Sequence, residues 1–361
     1  MSVSLIRSSE DGLLAELLGA VRSHEWLISL VLAYVLIASG VAAWLGEPSR
    51  ISLSLYGPVF TLATPALCVA FLVGRAAYLT LVVRPARLSW AIVDDLCTNY
   101  LTRKRIINAL PIIVLLPIFN SACTSIKSMI PLMHPYNWDA TLAVWDARLH
   151  FGVPPWQILQ PVLGHPFMSG LANIIYCGWF FGLAGSWFWQ AFALRDQRLR
   201  MQFFVAYIVC FALMGNLAAT WLASGGPCYY GRLVHGPDPY APLMQYLRDA
   251  SQHSSFIWSI RLQDMLWNNY ASDGFGIGSG ISAMPSMHVT GALLFALVGW
   301  RTNRPLGILL SVNVVLIMIA TVHLGWHYAI DGYIAVLGTL AIWRVVGAII
   351  DRVDPPQSLC R

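Results

Sequence analysis

Apolar residues form eight long runs along the chain, separated by short segments that carry most of the charged residues. A helix needs about 20 mostly apolar residues to cross the roughly 30 Å hydrocarbon layer of a bilayer. The eight runs reach that length, and they begin near Trp26, Leu55, Ile107, Met168, Met201, Thr290, Leu306 and Ala329. The pattern predicts an all-α, polytopic membrane helix bundle of about eight transmembrane helices.

Lysine and arginine alternate in density from one predicted connection to the next. With eight spans, the segments on the N-terminal side hold 15 of these residues, whereas the opposite side holds 5. Because cytoplasmic loops are enriched in Lys and Arg, we expect both termini to be cytoplasmic. The long loop from Ala223 to Pro285 then faces outward.

Composition agrees with a membrane protein and excludes several other classes. Only 11% of the residues are charged and 57% are hydrophobic, so the chain cannot cover a water-facing surface. The net charge of +5 is scattered, which does not favour a nucleic-acid partner. Cysteines occur singly, most of them within apolar runs, as buried hydrophobic residues do.

Chemically versatile residues concentrate near the C-terminal end, at two predicted outer helix ends. One segment reads Ser282-Ala-Met-Pro285-Ser286-Met-His288, and the other includes His323, His327 and Asp331. Ionisable residues near a bilayer are functional candidates because burying them is costly. Since the two helix ends are neighbours on the outer side, we expect His288, His327 and Asp331 to meet.

Two histidines and an aspartate suit phosphoryl transfer. One neutral imidazole attacks phosphorus, a carboxylate four residues along the same helix face holds its other N–H, and the second imidazole protonates the leaving oxygen. Donors and cations must surround the charged transition state. On the outer side these include the Ser286 hydroxyl, the glycine run from Gly274 to Gly280, Lys127, Arg148 and Arg232.

The paired motifs Pro285-Ser286-Met-His288 and His327-Tyr-Ala-Ile-Asp331 resemble the second and third signature motifs of the type 2 phosphatidic acid phosphatase superfamily. The resemblance covers roughly residues 107–350. It implies a six-helix catalytic core, with His327 as the phosphohistidine nucleophile and Asp331 as its orienter. It further implies His288 as general acid and then base, Ser286 as a phosphate ligand, and no metal or cofactor.

The sequence departs from the phosphatase branch at the residues that bind phosphate. Ala320-Thr321 stands where that branch has Ser-Arg, and Arg84-Pro85, on the predicted cytoplasmic side, has no lysine before it. The inositol phosphorylceramide and sphingomyelin synthase branch lacks these cations and keeps the histidines and the aspartate. The segments 119–127, 138–152 and 225–232 are similar to that branch.

The resemblance leads us to expect a membrane phosphotransferase that acts on lipid-linked phosphate esters, transfers a phospho-alcohol head group, and works at the outer leaflet. We expect it in the plasma (inner) membrane, with the active site on the extracytoplasmic face. Residues 1–105 then form a region with two added helices, and residues 106–361 form the catalytic core. As further substrate-binding residues we propose Arg232, Lys127, Tyr229 and Arg148.

Other interpretations stay open at this stage. The enzyme can instead be a lipid phosphate or polyprenyl diphosphate phosphatase, and the same ionisable residues also suit the proton relay of a transporter. His323, His327 and Asp331 recur at four-residue spacing and can bind zinc, or the pair can simply join packed helices. Ser286 can cap a helix, Lys127 can extend to the membrane interface, and Arg148 can fix its loop beside Asp146.

Overall fold

A computed structural model describes the backbone of residues 2–353 and the side chains of residues 12–353. Residues 354–361, the tail of the predicted core region, lie outside the described residues. The first half of the chain forms helices α1 (Ser2–Ser23), α2 (Glu25–Leu45), α3 (Gly57–Tyr78), α4 (Leu88–Asp95), α5 (Arg103–Met133), α6 (Asp139–Leu149), α7 (Pro155–Leu163) and α8 (Pro166–Ala191). The second half forms α9 (Gln197–Ala212), α10 (Ala219–Trp221), α11 (Tyr230–Leu233), α12 (Ala241–His253), α13 (Ser259–Ala271), α14 (Met287–Thr302), α15 (Arg304–His323) and α16 (Ala329–Val353).

Seven helices within the described range are long and apolar enough to cross a membrane. They are Glu25–Leu45, Gly57–Val83, Arg103–Met133, Pro166–Ala191, Gln197–Trp221, Arg304–His323 and Ala329–Val353. A π-helical segment continues α3 to Val83, and another joins α9 to α10. The chain is therefore an integral membrane protein built as a polytopic helical bundle.

The eighth expected span, which begins near Thr290, is α14, and it has only 16 residues. At 1.5 Å per residue it measures about 24 Å, which is shorter than the hydrocarbon layer. It packs antiparallel to α15: Trp300 donates a hydrogen bond to Ser311 (2.9 Å), and the backbone of Gly299 lies against Leu310. The short α14 and the longer α15 thus form an antiparallel helical hairpin.

Local sequence signals explain where several helices begin. Asp196 accepts a hydrogen bond from the Leu199 N–H (2.8 Å) at the start of α9, and Asn303 accepts one from Leu306 (2.9 Å) at the start of α15. Such side chains satisfy N–H groups that have no partner within the helix. Proline stands in the first turn of α7, α8 and α15, where its missing N–H is not needed.

The N-terminal helix α2 packs on the rest of the bundle through one face. Its buried residues recur at helical spacing: Leu27, Val31, Tyr34, Ala38 and Ala42. Apolar burial alone does not hold helices together in lipid, so small residues and hydrogen bonds between helices matter more. The Tyr34 hydroxyl donates to Asn216 Oδ1 (3.1 Å), which joins α2 to the span that contains α9. The boundary of the catalytic core at residue 106 stays a prediction.

Candidate active site

His327 and Asp331 lie at the turn between α15 and α16. The Asp331 Oδ2 atom is 3.3 Å from His327 Nδ1 and accepts a hydrogen bond from the Tyr328 N–H at 3.0 Å. Asp331 is fully buried and His327 nearly so. The carboxylate thus fixes the orientation of the imidazole and leaves its Nε2 atom facing away.

The turn before His327 requires glycine at position 325. Gly325 has a φ of +74°, in the region that residues with a side chain seldom adopt. A Cβ atom there would also meet the sulfur of Met244 at 3.0 Å. The Thr321 carbonyl accepts hydrogen bonds from the Trp326 and His327 N–H groups at 2.9 and 3.2 Å. The backbone of this turn therefore places His327 at the tip of α15.

His288 enters the same site from the first turn of α14. The Ser286 hydroxyl caps this helix by accepting from the Val289 N–H (3.5 Å), and the Ser286 N–H donates to the Asp331 carbonyl (3.2 Å). Capping, one of the roles considered for Ser286, is therefore present. The same residue ties the start of α14 to the start of α16, which brings His288 and His327 together.

The two imidazoles contact each other directly: His327 Nε2 and His288 Nδ1 are 3.4 Å apart. Because Asp331 accepts at His327 Nδ1, the network assigns the proton to that nitrogen and leaves a lone pair on Nε2. His288 Nδ1 is then the donor between the rings. Within residues 12–353, His288 Nε2 and Asp331 Oδ1 have no hydrogen-bond partner. Both unpaired atoms lie in the proposed reaction site.

Aromatic rings of α8 pack against His288. The centroid of the Tyr176 ring is 4.6 Å from that of His288, and the Trp179 ring is 4.5 Å away. Trp326 stacks on Tyr176 at 5.4 Å. Aromatic residues of a membrane helix usually face lipid or the core of the bundle, so the sequence does not indicate this contact. Helical spacing alone does not indicate which ring touches a histidine of another helix.

Two further buried carboxylates support the turn that carries His327 and Asp331. Asp146 of α6 accepts from the Ala329 and Ile330 N–H groups (3.1 and 2.9 Å), the first residues of α16. Asp139 accepts from the Tyr328 hydroxyl (2.8 Å). Burial raises the pKa of both carboxyl groups, while the hydrogen bonds that each accepts act in the opposite direction. Both oxygens of each side chain are acceptors, which is the arrangement of an ionised carboxylate.

Asp139 also holds the segment that follows α10. It accepts from the Gly225 and Gly226 N–H groups at 2.9 and 2.8 Å. Gly226 has a φ of +93°, and a Cβ atom there would meet the Trp326 carbonyl oxygen at 2.6 Å. The double glycine therefore allows this loop to lie directly against the turn between α15 and α16 that carries His327, called here the catalytic turn. The sequence marks both aspartates only as part of the segment 138–152, without a role.

Among the predicted cations, Lys127 is the one brought towards His288. Lys127 lies near the end of α5, and its positive charge is close enough to act on the His288 imidazole. The backbone of Gly280, at the end of the glycine run, lies directly against Lys127. Lys127 is half-buried rather than extended to the surface. Its role in substrate binding stays a prediction.

Arg232, Arg148 and Tyr229 have other surroundings. Arg232 is exposed, lies 3.3 Å from Asp264, and covers the ring of Trp267 at 4.9 Å. Arg148 is exposed at the end of α6, and the Asp146 carboxylate beside it bonds to the start of α16 instead. The buried Tyr229 donates its hydroxyl hydrogen to the Gln263 carbonyl at 2.9 Å. The structure does not bring these three side chains to the histidines through any described contact.

His323 points into a different environment from His327. Its Nε2 atom is 2.8 Å from the Ser169 hydroxyl of α8, which also contacts Tyr246 at 2.8 Å. In the described part of the chain, no group of three or more His, Cys, Asp or Glu side chains is arranged to hold a metal ion. The geometry therefore gives His323 a role in joining helices and does not support the zinc interpretation.

Comparison with known proteins identifies the family. A model of the PAP2 superfamily matches residues 140–345, which contain Asp146, both histidine motifs and Asp331. No curated protein and no solved structure matches the chain significantly. The match begins after α5, so Lys127 and Asp139 lie outside it. Because it covers more than half of the 361 residues, the chain belongs to the PAP2 superfamily.

Proposed function

We propose that this protein is a membrane phosphotransferase that forms a phosphohistidine on His327. Membership of the PAP2 superfamily supports an activity on lipid phosphoesters, and the geometry supports the assignment of roles. One observation carries the proposal: His327 Nδ1 lies 3.3 Å from Asp331 Oδ2 and His327 Nε2 lies 3.4 Å from His288 Nδ1, a geometry that assigns a proton to Nδ1 and a lone pair to Nε2. A buried nucleophile held by a carboxylate beside a second imidazole is the arrangement that covalent catalysis requires.

The first half-reaction forms a nitrogen–phosphorus bond and breaks a phosphorus–oxygen bond. His327 Nε2 attacks phosphorus, and His288 gives its Nδ1 proton to the departing alcohol oxygen. Asp331 stabilises the positive charge that develops on the His327 ring. In the second half-reaction, His288 takes the proton of water or an alcohol, whose oxygen attacks phosphorus and releases His327.

Substrate binding must separate the two imidazole rings. At 3.4 Å, His327 Nε2 and His288 Nδ1 are within hydrogen-bonding distance, which leaves no room for a phosphorus centre between them. The contact is thus the resting state, and the entering phosphate replaces it. Catalytic hydrogen bonds commonly reach productive geometry only once substrate is bound.

The proposed reaction is transfer of a phospho-alcohol group from one lipid to another, as in the inositol phosphorylceramide and sphingomyelin synthase branch. The argument rests on charge: Ala320-Thr321 replaces a cationic motif, and Lys127 is the cation that acts on His288. A phosphodiester carries one negative charge fewer than a phosphate monoester, so it needs fewer cations. The Lys and Arg distribution supports an outward-facing site, so we propose that the reaction occurs at the extracytoplasmic face, in the plasma (inner) membrane.

The test of the covalent intermediate is a burst experiment with a lipid labelled at phosphorus. The wild-type protein should retain acid-labile label, and His327→Ala should retain none. His323→Ala is the matched control, because His323 lies four residues earlier, at the end of α15, and contacts Ser169 instead of His288. Equal labelling of the wild type and His327→Ala would refute the assignment. A wild type that does not label or turn over lipid phosphate, but carries protons across vesicles, would establish the transporter.

Two further measurements separate the remaining roles. With His288→Ala, turnover of an ordinary alkyl ester should fall by about 10²–10⁴-fold, the usual contribution of general acid–base catalysis. Labelling from an alkyl p-nitrophenyl phosphate should fall much less, because nitrophenolate leaves without a proton. To distinguish transfer from hydrolysis, a phospholipid donor is incubated with a panel of alcohols. Release of the free phospho-alcohol, with no transfer to any alcohol of the panel, would refute head-group transfer and identify a hydrolase.

A further inference from the structure

An apolar groove runs along the bundle beside His288. It has a volume of about 340 Å³ and lies between α8, α14 and α15. Its lining includes Trp179 and Gly182 of α8, Gly291 and Phe295 of α14, and Leu309 of α15. The volume falls within the range of roughly 300–1,000 Å³ that small-molecule sites occupy. Leu309 is 63% exposed, so the groove opens sideways, towards the lipid of the bilayer.

Glycines create the space in this groove. Gly178 and Gly182 are one turn apart on α8, and Cβ atoms added at either position would meet nothing within 4 Å. Glycine in the middle of a helix is unfavourable relative to alanine, and neither residue has a positive φ that would require it. The open space beside the helix backbone is what these residues contribute.

Trp179 connects the groove to the active site. Its ring centroid is 4.5 Å from that of His288, and the side chain also lines the groove. Trp179 is 9% exposed, and its indole N–H has no hydrogen-bond partner within residues 12–353. A buried Trp N–H normally has a partner. An unpaired donor at the end of an apolar groove, beside His288, suits a ligand with a polar head and an apolar chain.

The groove leads from the His288 end of α14 along the helices, as the alkyl chain of a ligand with its polar head near His288 would require. From His288 to Phe295, α14 advances about 10 Å away from the catalytic turn, at 1.5 Å per residue. Leu309, which also lines the groove, lies fourteen positions before His323, and His323 marks the site end of α15. A phosphoester held at His327 would therefore send its alkyl chain down this groove, past Trp179.

We propose that the groove between α8, α14 and α15 binds an alkyl chain of the lipid substrate, with the Trp179 indole N–H facing the polar group at its upper end. This inference rests on the proposed function and deepens it, because it assigns long-chain selectivity to a defined surface. A single straight chain fits the slot, and the exposed side lets the chain enter from the bilayer.

The first test fills the groove without disturbing the packing. Gly182→Leu places a side chain in open space, and Gly40→Leu is the matched control, since Gly40 is a glycine of α2 with nothing within 4 Å of an added Cβ. With dipalmitoyl phosphatidylinositol, a phosphodiester, kcat/KM should fall at least about tenfold for Gly182→Leu, which corresponds to about 1.4 kcal/mol or the burial of roughly two methylenes. With dihexanoyl phosphatidylinositol, it should stay within about twofold by the same scale.

The position of the substitution adds a second criterion. Gly178 lies one turn, about 6 Å, closer to the site end of α8 than Gly182. Gly178→Leu should therefore exclude shorter chains than Gly182→Leu does. Equal losses for both chain lengths in both variants, or a loss in Gly40→Leu of the same size, would overturn the inference. Absence of turnover with every phosphoester in the wild type would instead refute the proposed function.

A binding measurement decides the inference independently of activity. Phosphatidylinositol with a diazirine at the end of one acyl chain is photolysed with the wild-type protein, and the labelled peptides are mapped. Label should appear on α15 between Leu309 and Leu316 and should disappear in Gly182→Leu. Excess unlabelled phosphatidylinositol should compete, and excess triacylglycerol should not. Equal competition by triacylglycerol would mean that bulk lipid fills the groove, and label elsewhere would also refute the proposal.

Discussion

Asp146 offers a sharp test of how the catalytic turn is held. Its two carboxylate oxygens accept hydrogen bonds from the N–H groups of Ala329 and Ile330, directly before Asp331. The side chain is 1% exposed, so water does not replace these bonds. Replacing Asp146 by alanine leaves two N–H groups of the first turn of α16 without acceptors. Asp146→Asn keeps one acceptor oxygen and loses the other.

The expected magnitude follows from these contacts. A buried N–H without a partner costs about 1–3 kcal/mol, so Asp146→Ala should lower the free energy of unfolding by about 2–6 kcal/mol. Asp146→Asn should lose about 1–3 kcal/mol. The start of α16 must then shift to reach other acceptors, and Asp331 shifts with it. A misplacement of about 1 Å in a catalytic group can reduce the rate about 10²-fold.

The assay compares turnover and thermal unfolding of both variants in proteoliposomes. Asp249→Ala is the matched control, because Asp249 is an exposed aspartate of α12. We expect Asp146→Ala to lose the most activity and stability, Asp146→Asn to be intermediate, and the control to match the wild type. If Asp146→Ala unfolds at the wild-type temperature with wild-type kcat/KM, the proposed support of α16 by Asp146 is incorrect.

Three further outcomes follow from other contacts. Lys127→Ala should raise KM at least about tenfold, which corresponds to about 1.4 kcal/mol of lost attraction for the phosphate. Arg232→Ala should change KM little, because Arg232 is exposed and lies over Trp267. Equal effects of the two substitutions on KM would contradict the assignment of Lys127. His24 accepts from Arg200 at 2.7 Å, and burial, with a smaller effect of Arg200, lowers its pKa from 6.5. The unfolded state therefore binds more protons than the native state below pH 6.5, so thermal stability should decrease as the pH is lowered through this range. His24→Gln should weaken that dependence. Turnover should survive EDTA, and its loss with recovery on adding zinc would refute the metal-independent mechanism.

The membrane fold follows from the sequence because lipid imposes a strong constraint. Every backbone polar group must be satisfied within the span, so long apolar runs become helices. The short α14 is the informative exception. The run that begins near Thr290 is predicted to span the layer, but Arg301 interrupts it and Asn303 caps α15, which leaves only 16 residues for α14. The length of a span thus depends on a capping residue that hydropathy alone does not weigh.

The meeting of His288 with His327 was predictable, whereas much of its surroundings was not. Histidine and aspartate inside apolar sequence are rare enough to indicate a site. Tyr176 and Trp179 resemble any other aromatic residues of a membrane helix, and only the packing of α8 on α14 shows which rings face His288. Asp139 is separated from Tyr328 by 189 positions. Such pairings depend on tertiary structure, which spacing within a motif does not encode.

The buried carboxylates around the catalytic turn bear on which phosphoester the site accepts. The oxygens of Asp139 and Asp146 accept hydrogen bonds from backbone N–H groups, and Asp139 also from a tyrosine hydroxyl. Peptide N–H groups stabilise these carboxylates locally but do not cancel their charge. With Asp331 beside His327, the turn therefore carries excess negative charge, and Lys127 is the cation that acts on His288. A dianionic monoester meets this field with two negative charges and a diester with one, so the charge distribution of the turn supports our proposal that the donor is a diester.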